Sequence, residues 1–278
     1  MRRWILLLSL LSLLSLLSLL SLLLLPCMAA FADATGPASP QRVLFVGNSL
    51  TYVGNLPATF AAMANANGHA VHAAMIVEGG ATLDQRVVDG SVQRALADYK
   101  PAVLVLQERG GDLLCMPTED ACIRSERAIQ ALAQAGRAAG AKVVLLGSYQ
   151  AHPRASAELV GKEGAAAERA GIAYVEISGS LRRLSGEAPA LAWYHADGMH
   201  PGPALTLLDA IQLYRTLFGA IPAQGFDVAA PVYTTSSGLH AELREADAAA
   251  PRPDTPQGIH YDGTMVEYLG TALDSGNQ

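Results

Sequence analysis

Three observations predict an α/β fold in which helices cover both faces of a parallel sheet. Five short apolar runs alternate with segments of helical period through residues 42–218. The runs are apolar at nearly every position, as strands buried on both faces are. Each is followed by a helical segment, the βα alternation of a parallel sheet. Right-handed crossovers then leave a three-layer α/β/α sandwich as the expected architecture.

The elements follow in order. Residues 42–46 read as the first strand and 56–67 as a helix. Residues 71–77 are the second strand and 83–99 the second helix. AVLVLQ, at 102–107, is the strongly apolar third strand. An alanine-rich helix at 124–139 ends at Gly140, and the fourth strand is 142–147. A helix at 156–170 stops at Gly171 before the fifth strand at 173–177. The last helix is 203–218, with Pro203 in its first turn, where an N–H is not needed. Beyond Gly225 the pattern weakens: 246–256 reads as a linker or loose tail, and 261–273 as a short helix or strand. The chain thus divides into 1–32, a domain over 40–226 and an extension over 227–278 expected to be partly disordered.

Residues 1–32 read as an export signal. Arg2 and Arg3 precede a long apolar run built on a Leu-Leu-Ser repeat, and Ala30-Phe31-Ala32 is a small-x-small cleavage pattern. The run exceeds the ~7–15 residues of a usual signal core and reaches the ~20 that span a bilayer. An uncleaved membrane anchor is therefore the competing reading, and the site directly after the run favours cleavage. Cys115 and Cys122 are the cysteines left in the mature chain, and export makes a disulfide between them the expectation. The formal charge of −6 and the scattered basic residues give no footprint for nucleic acid.

Sites in such sheets form beyond the carboxyl ends of the strands. There, Val46-Gly47-Asn48-Ser49 ends the first strand, turns and offers a serine hydroxyl. Asp197-Gly198-Met199-His200-Pro201 precedes the last helix. An acid three residues ahead of a histidine can accept from one ring nitrogen and fix the tautomer. The other nitrogen is then free to take a proton from serine. Each half alone is also ordinary turn or capping chemistry; together they make Ser49, Asp197 and His200 the candidate catalytic set.

The order of these blocks resembles the SGNH/GDSL-type serine hydrolases, whose first block is GDS[LY] and last DxxH; here they read GNSL and DGMH. The stretch GNSLTYVGNLP is similar to the branch with GNSYTYxNxLP, and VLQE and DGMHP add to the likeness, which runs from about Arg42 to about Phe226. The resemblance implies a flavodoxin-like five-stranded parallel sheet, a Ser-His-Asp triad, no cofactor and no metal. It implies an ester substrate that is a small molecule, a lipid or a glycan; membrane contact is expected only if the N-terminal segment is uncleaved. It also implies oxyanion donors: the N–H of Ser49, a glycine after the second strand and an asparagine after the third. Gly80 fits the glycine, with Gly79 next. The asparagine is absent, and Gln107 carries the same amide on a longer stem. Tyr52, Tyr149, Trp193 and Tyr194 lie near the presumed mouth and read as loop-packing aromatics.

Two other readings stay open at this point. His195, Asp197 and His200 are residue types that bind metals, which would make a metal-dependent hydrolase. The fold also serves non-catalytic binding domains, and the missing asparagine favours that.

Overall fold

The structure, a computed structural model, describes residues 39–275. The export signal read at 1–32 lies outside the described residues. The strands are β1 (Gln41–Gly47), β2 (Val71–Val77), β3 (Val103–Leu106), β4 (Lys142–Leu146), β5 (Ala173–Val175), β6 (Phe226–Pro231), β7 (Arg244–Glu245) and β8 (Gln257–Tyr261). The helices are α1 (Ser49–Tyr52), α2 (Leu56–Ala66), α3 (Leu83–Asp89), α4 (Ser91–Tyr99), α5 (Ala121–Ala138), α6 (Pro153–Ala170), α7 (Ser178–Glu187), α8 (Pro203–Phe218) and α9 (Gly263–Ser275).

The central sheet runs β5-β4-β3-β1-β2-β7. Its first five strands are parallel, as expected, and β1 lies between β3 and β2. Strand β1 shows why a continuous apolar run marks such a sheet. Val43 and Phe45 enter one core, Leu44 and Val46 the other, and all four are fully buried. The first core is closed by α2, α7, α8, α9 and β6, the second by α3, α4, α5 and α6. These are the three layers.

Two expectations need correction. The helix expected over 83–99 is two helices, because Gly90 adopts a left-handed φ of 66° and the Asp89 carboxylate accepts from Ser91 N–H. The C-terminal extension is not a loose tail. Strand β7 adds a sixth, antiparallel strand to the edge of the sheet, where Met75 pairs with Arg244 and Ala74 with Glu245. Strands β6 and β8 form a second antiparallel sheet, and α9 buries Val266 and Leu269 in the first core. Apolar residues at helical spacing after Asp262 drive that packing. The described residues from Pro40 onward cluster as one compact unit.

Candidate active site

Ser49 stands at the carboxyl end of β1, at the start of α1, and is 9% exposed. The turn is built tightly. A Cβ on Gly47 would lie 2.1 Å from Thr51 Oγ1, so only glycine lets α1 fold back over the strand end. Asn48 caps α1, its Oδ1 accepting from Leu50 N–H at 3.0 Å.

Asp197 and His200 are carried by the loop before α8. Tyr194 and Pro201 form an isolated bridge, and His195 N–H donates to the His200 carbonyl at 2.8 Å. A Cβ on Gly202 would meet the Ala192 carbonyl at 2.4 Å, which holds the loop's exit against its entry. Asp197 Oδ1 accepts from the N–H groups of Met199 (2.9 Å) and His200 (3.0 Å). These backbone donors, with the imidazole beside them, hold the Asp197 carboxyl well below the usual carboxylate range.

The three candidates meet. Asp197 Oδ2 lies 2.8 Å from His200 Nδ1, and His200 Nε2 lies 2.9 Å from Ser49 Oγ. A charged acceptor at Nδ1 places the proton there, which leaves the Nε2 lone pair facing the serine hydroxyl. His195 is farther out, its Nδ1 3.8 Å from Asp197 Oδ2. Among the described residues no group of three or more His, Cys, Asp and Glu side chains is placed to hold a metal ion.

Gly80 has a φ of 70°, and a Cβ there would meet nothing within 4 Å. It is held from the other side, its carbonyl accepting from Arg109 Nη1 at 3.2 Å. Gly79 packs close to Tyr52: a Cβ on it would lie 3.1 Å from the phenol oxygen.

Gln107 does not fit the oxyanion role expected of it. It is 1% exposed; Nε2 donates to the Gly147 carbonyl at 3.2 Å, and Oε1 accepts from Thr51 Oγ1 at 2.6 Å. The longer stem carries the amide under the serine turn, where it ties α1 to the end of β4. Glu163 continues this buried support, accepting from Ser148 N–H and Oγ and from the Tyr174 hydroxyl.

Glu108, one residue on, had no role in the sequence reading beyond its place in VLQE. It is buried and accepts from Ser125 Oγ at 2.7 Å and from the N–H groups of Leu83 and Arg109. Burial pushes its carboxyl up to about 7. Arg109 forks onto Asp112 at 2.6 and 2.7 Å. The pair stands three residues apart in sequence, the one local signal it gives. Among the aromatics, Tyr52 and Trp193 are core residues, and Tyr149 and Tyr194 meet edge-on beside the loop with ring centres 6.0 Å apart. Cys115 and Cys122 are joined in a disulfide that ties the loop before α5 to its first turn. Among the described residues no helix is long and apolar enough to cross a membrane.

No family model and no curated protein matches the sequence. Solved structures do. A protein from Slackia heliotrinireducens, provisionally described as an SGNH hydrolase, matches with a TM-score of 0.52 and 26% identity, over 64% of this chain and 100% of its own. TesA matches with a TM-score of 0.50 and 25% identity, over 64% of this chain and 99% of its own. Axe2, an acetylxylan esterase from Geobacillus stearothermophilus, shares the fold at a TM-score of 0.51 and 14% identity, over 65% of this chain and 95% of its own. The sheet order and these likenesses give the chain the fold of SGNH hydrolases and support an enzyme acting on ester bonds.

Proposed function

We propose that this protein is an exported serine hydrolase that cleaves carboxylic esters through Ser49, His200 and Asp197. The observation that carries the reading is the line of two hydrogen bonds, 2.8 and 2.9 Å, from Asp197 through His200 to Ser49 Oγ. Ser49 Oγ attacks the acyl carbon while His200 Nε2 takes its proton. The tetrahedral oxyanion faces the N–H groups of Ser49 and Gly80. Collapse breaks the bond to the alcohol oxygen, which leaves with the proton from His200. Water then attacks the acyl-enzyme with His200 again as base, releasing the acid and restoring Ser49. Asp197 keeps the imidazole in one tautomer and offsets its transient positive charge. Catalytic mutants of Axe2 replace a serine, an aspartate and a histidine three places after that aspartate. Export rests on the signal read in residues 1–32, and the disulfide fits an oxidising compartment.

Labelling with a fluorophosphonate tests this. Wild-type protein should be labelled and should hydrolyse p-nitrophenyl acetate in the presence of a chelator. Ser49→Ala should lose labelling and at least ~10⁴-fold in turnover while keeping its melting temperature. A turnover in Ser49→Ala equal to wild type and abolished by chelator would replace this reading with the metal-dependent one.

A further inference from the structure

We propose that Arg109 is a positioning residue for the oxyanion hole: from the loop after β3 it holds the turn that presents the Gly80 N–H. The proposal rests on the ester-hydrolase reading above and adds a residue to it.

The need for such a residue follows from Gln107. Its amide is engaged beneath the serine turn, which leaves the oxyanion the backbone N–H groups of Ser49 and Gly80. Gly80 stands in a turn from Glu78 to Ala81, closed by Ala81 N–H donating to the Glu78 carbonyl at 3.2 Å. It is the third residue of the turn and the left-handed one, with a φ of 70°, as in a type II turn. The two central residues are both glycine, which gives the backbone its greatest freedom. A Cβ on Gly80 would meet nothing within 4 Å, so no packing at that point holds the turn in place.

Arg109 supplies the hold from across β1. That strand lies between β2 and β3, whose ends are therefore ~10 Å apart, two strand spacings. Val77, the last residue of β2, pairs with Gly47, and Leu106, the last of β3, pairs with Val46. The two loops thus leave the sheet on either side of Asn48 and Ser49, and a Cβ on Gly79 would lie 3.1 Å from the phenol oxygen of Tyr52 at the end of α1. Arg109 Nη1 spans the gap and donates to the Gly80 carbonyl at 3.2 Å. The guanidinium is itself fixed. Its Nε and Nη2 fork onto Asp112 at 2.7 and 2.6 Å, and the Asp112 side chain is buried. A second link runs parallel to the first: the Glu108 carboxylate accepts from Arg109 N–H at 3.0 Å and from Leu83 N–H, just past the turn, at 3.3 Å. Arg86 holds the opposite corner through Glu78 at 2.9 Å. Arg109 acts through Gly80 and does not have to touch the ester.

The experiment uses the full mature chain and p-nitrophenyl acetate. Arg109→Met combined with Asp112→Asn removes the link together with the charge it balances. Arg109→Lys keeps a cation for Asp112, but one ammonium cannot fork that carboxylate and reach Gly80 as well. Melting curves check that both variants are folded, and Arg109→Lys, with its ion pair kept, serves if the double variant is not. Removing an oxyanion donor outright costs ~10²–10³ in turnover. Here the donor stays and is only loosened, so kcat should fall about tenfold in the double variant and about three- to tenfold in Arg109→Lys, with KM changed by less than about twofold. The pH profile of kcat should keep its shape, because the base is untouched. Trifluoroacetone reads the oxyanion directly: Ser49 Oγ adds to its carbonyl carbon, the proton passes to His200 and the carbonyl oxygen becomes the oxyanion. Its inhibition constant should rise by the factor by which kcat/KM falls. Wild-type kcat in a folded variant, a loss of kcat that trifluoroacetone affinity does not follow, or a rise in KM with kcat unchanged overturns the proposal. A wild type that takes no fluorophosphonate label and cleaves no ester sinks the underlying reading too. A labelled, active wild type with unaffected variants sinks this proposal alone.

Discussion

Ser49 rests on buried structure, whereas His200 hangs from a loop secured at its edges. The strand under Ser49 is paired on both sides, and α1 is stitched downward through Thr51 and Gln107 to Gly147. Beyond α1 the chain is strapped from behind. Asn55, fully buried with a left-handed φ of 57°, donates both amide hydrogens to the extension, to the carbonyls of Pro231 and Ala246 at 2.8 Å each. Gly54 N–H adds a bond to the Tyr233 carbonyl. The Asp197 side chain, by contrast, is a third exposed and is positioned by N–H groups two and three residues away. The placement of the proposed nucleophile is thus a property of the whole core, and that of the proposed base a local one. Damage to the first should appear as lost stability, damage to the second as lost turnover in a stable protein.

Asn55→Ala should show the larger effect. It leaves two buried carbonyls without donors and removes the Oδ1 that caps α2 at Ala58 N–H. A loss of about 3 kcal/mol is expected, lowering the melting temperature by ~6–12 °C in a domain of this size. Scanning calorimetry of the mature protein reads it directly. An unchanged melting temperature would mean that the extension is not what holds the nucleophile segment.

This strap marks the border of what the sequence made legible. The five parallel strands could be read because each is a local apolar run, and the catalytic candidates because each half sits in one short block. Asn55 bonds to carbonyls 176 and 191 positions away, and nothing near it in sequence announces them. Strand β7 is two residues long and carries no period, so its place on the sheet edge was invisible. Gln107 was misread because an amide at the right sequence position says nothing of its direction. Its longer stem turned it under the serine rather than toward it. Glu108 escaped for the same reason, since it gains Leu83 and Ser125 only through the packing of α3 and α5.

Acidity separates the two regions further. Glu163, at the base of the nucleophile's support, and Glu108 are both raised to about 7, chiefly by burial, against 4.5 for a free side chain. The unfolded chain releases these protons first as pH rises. The folded state therefore loses stability between about pH 4.5 and 7, by up to ~3 kcal/mol for each group. Asp197 is depressed, so its contribution has the opposite sign and is lost only in strong acid. The melting temperature should thus be higher at pH 5 than at pH 7.5, and Glu163→Gln should remove about half of the difference. A melting temperature that rises toward pH 7.5 would contradict the buried, proton-retaining state of both carboxyls.

The smallest effect tests the loop itself. The Tyr149 hydroxyl donates to the Met199 carbonyl at 2.7 Å, one residue from His200, and its ring leans edge-on against Tyr194, which bridges Pro201. Among the described residues it is the one side chain from outside the loop that bonds the backbone between Asp197 and His200. Burial raises the phenol above its ordinary range, with Asp209 the next cause, so it remains a donor across the working pH range. Tyr149→Phe removes a single neutral hydrogen bond, about 1 kcal/mol, and keeps the ring contact. Water can take over part of that bond, because Met199 is exposed. Turnover should fall about three- to tenfold, with KM changed by less than about twofold, since the proposed role of His200 is in the transition state rather than in binding ester. Stability should fall by no more than about 1 kcal/mol. If turnover instead matches wild type, the bonds from Asp197 to its own backbone orient His200 unaided, and the loop is more self-contained than the contrast with Ser49 supposes. If KM rises while kcat holds, Tyr149 contacts the substrate, and its bond to Met199 is incidental to the base.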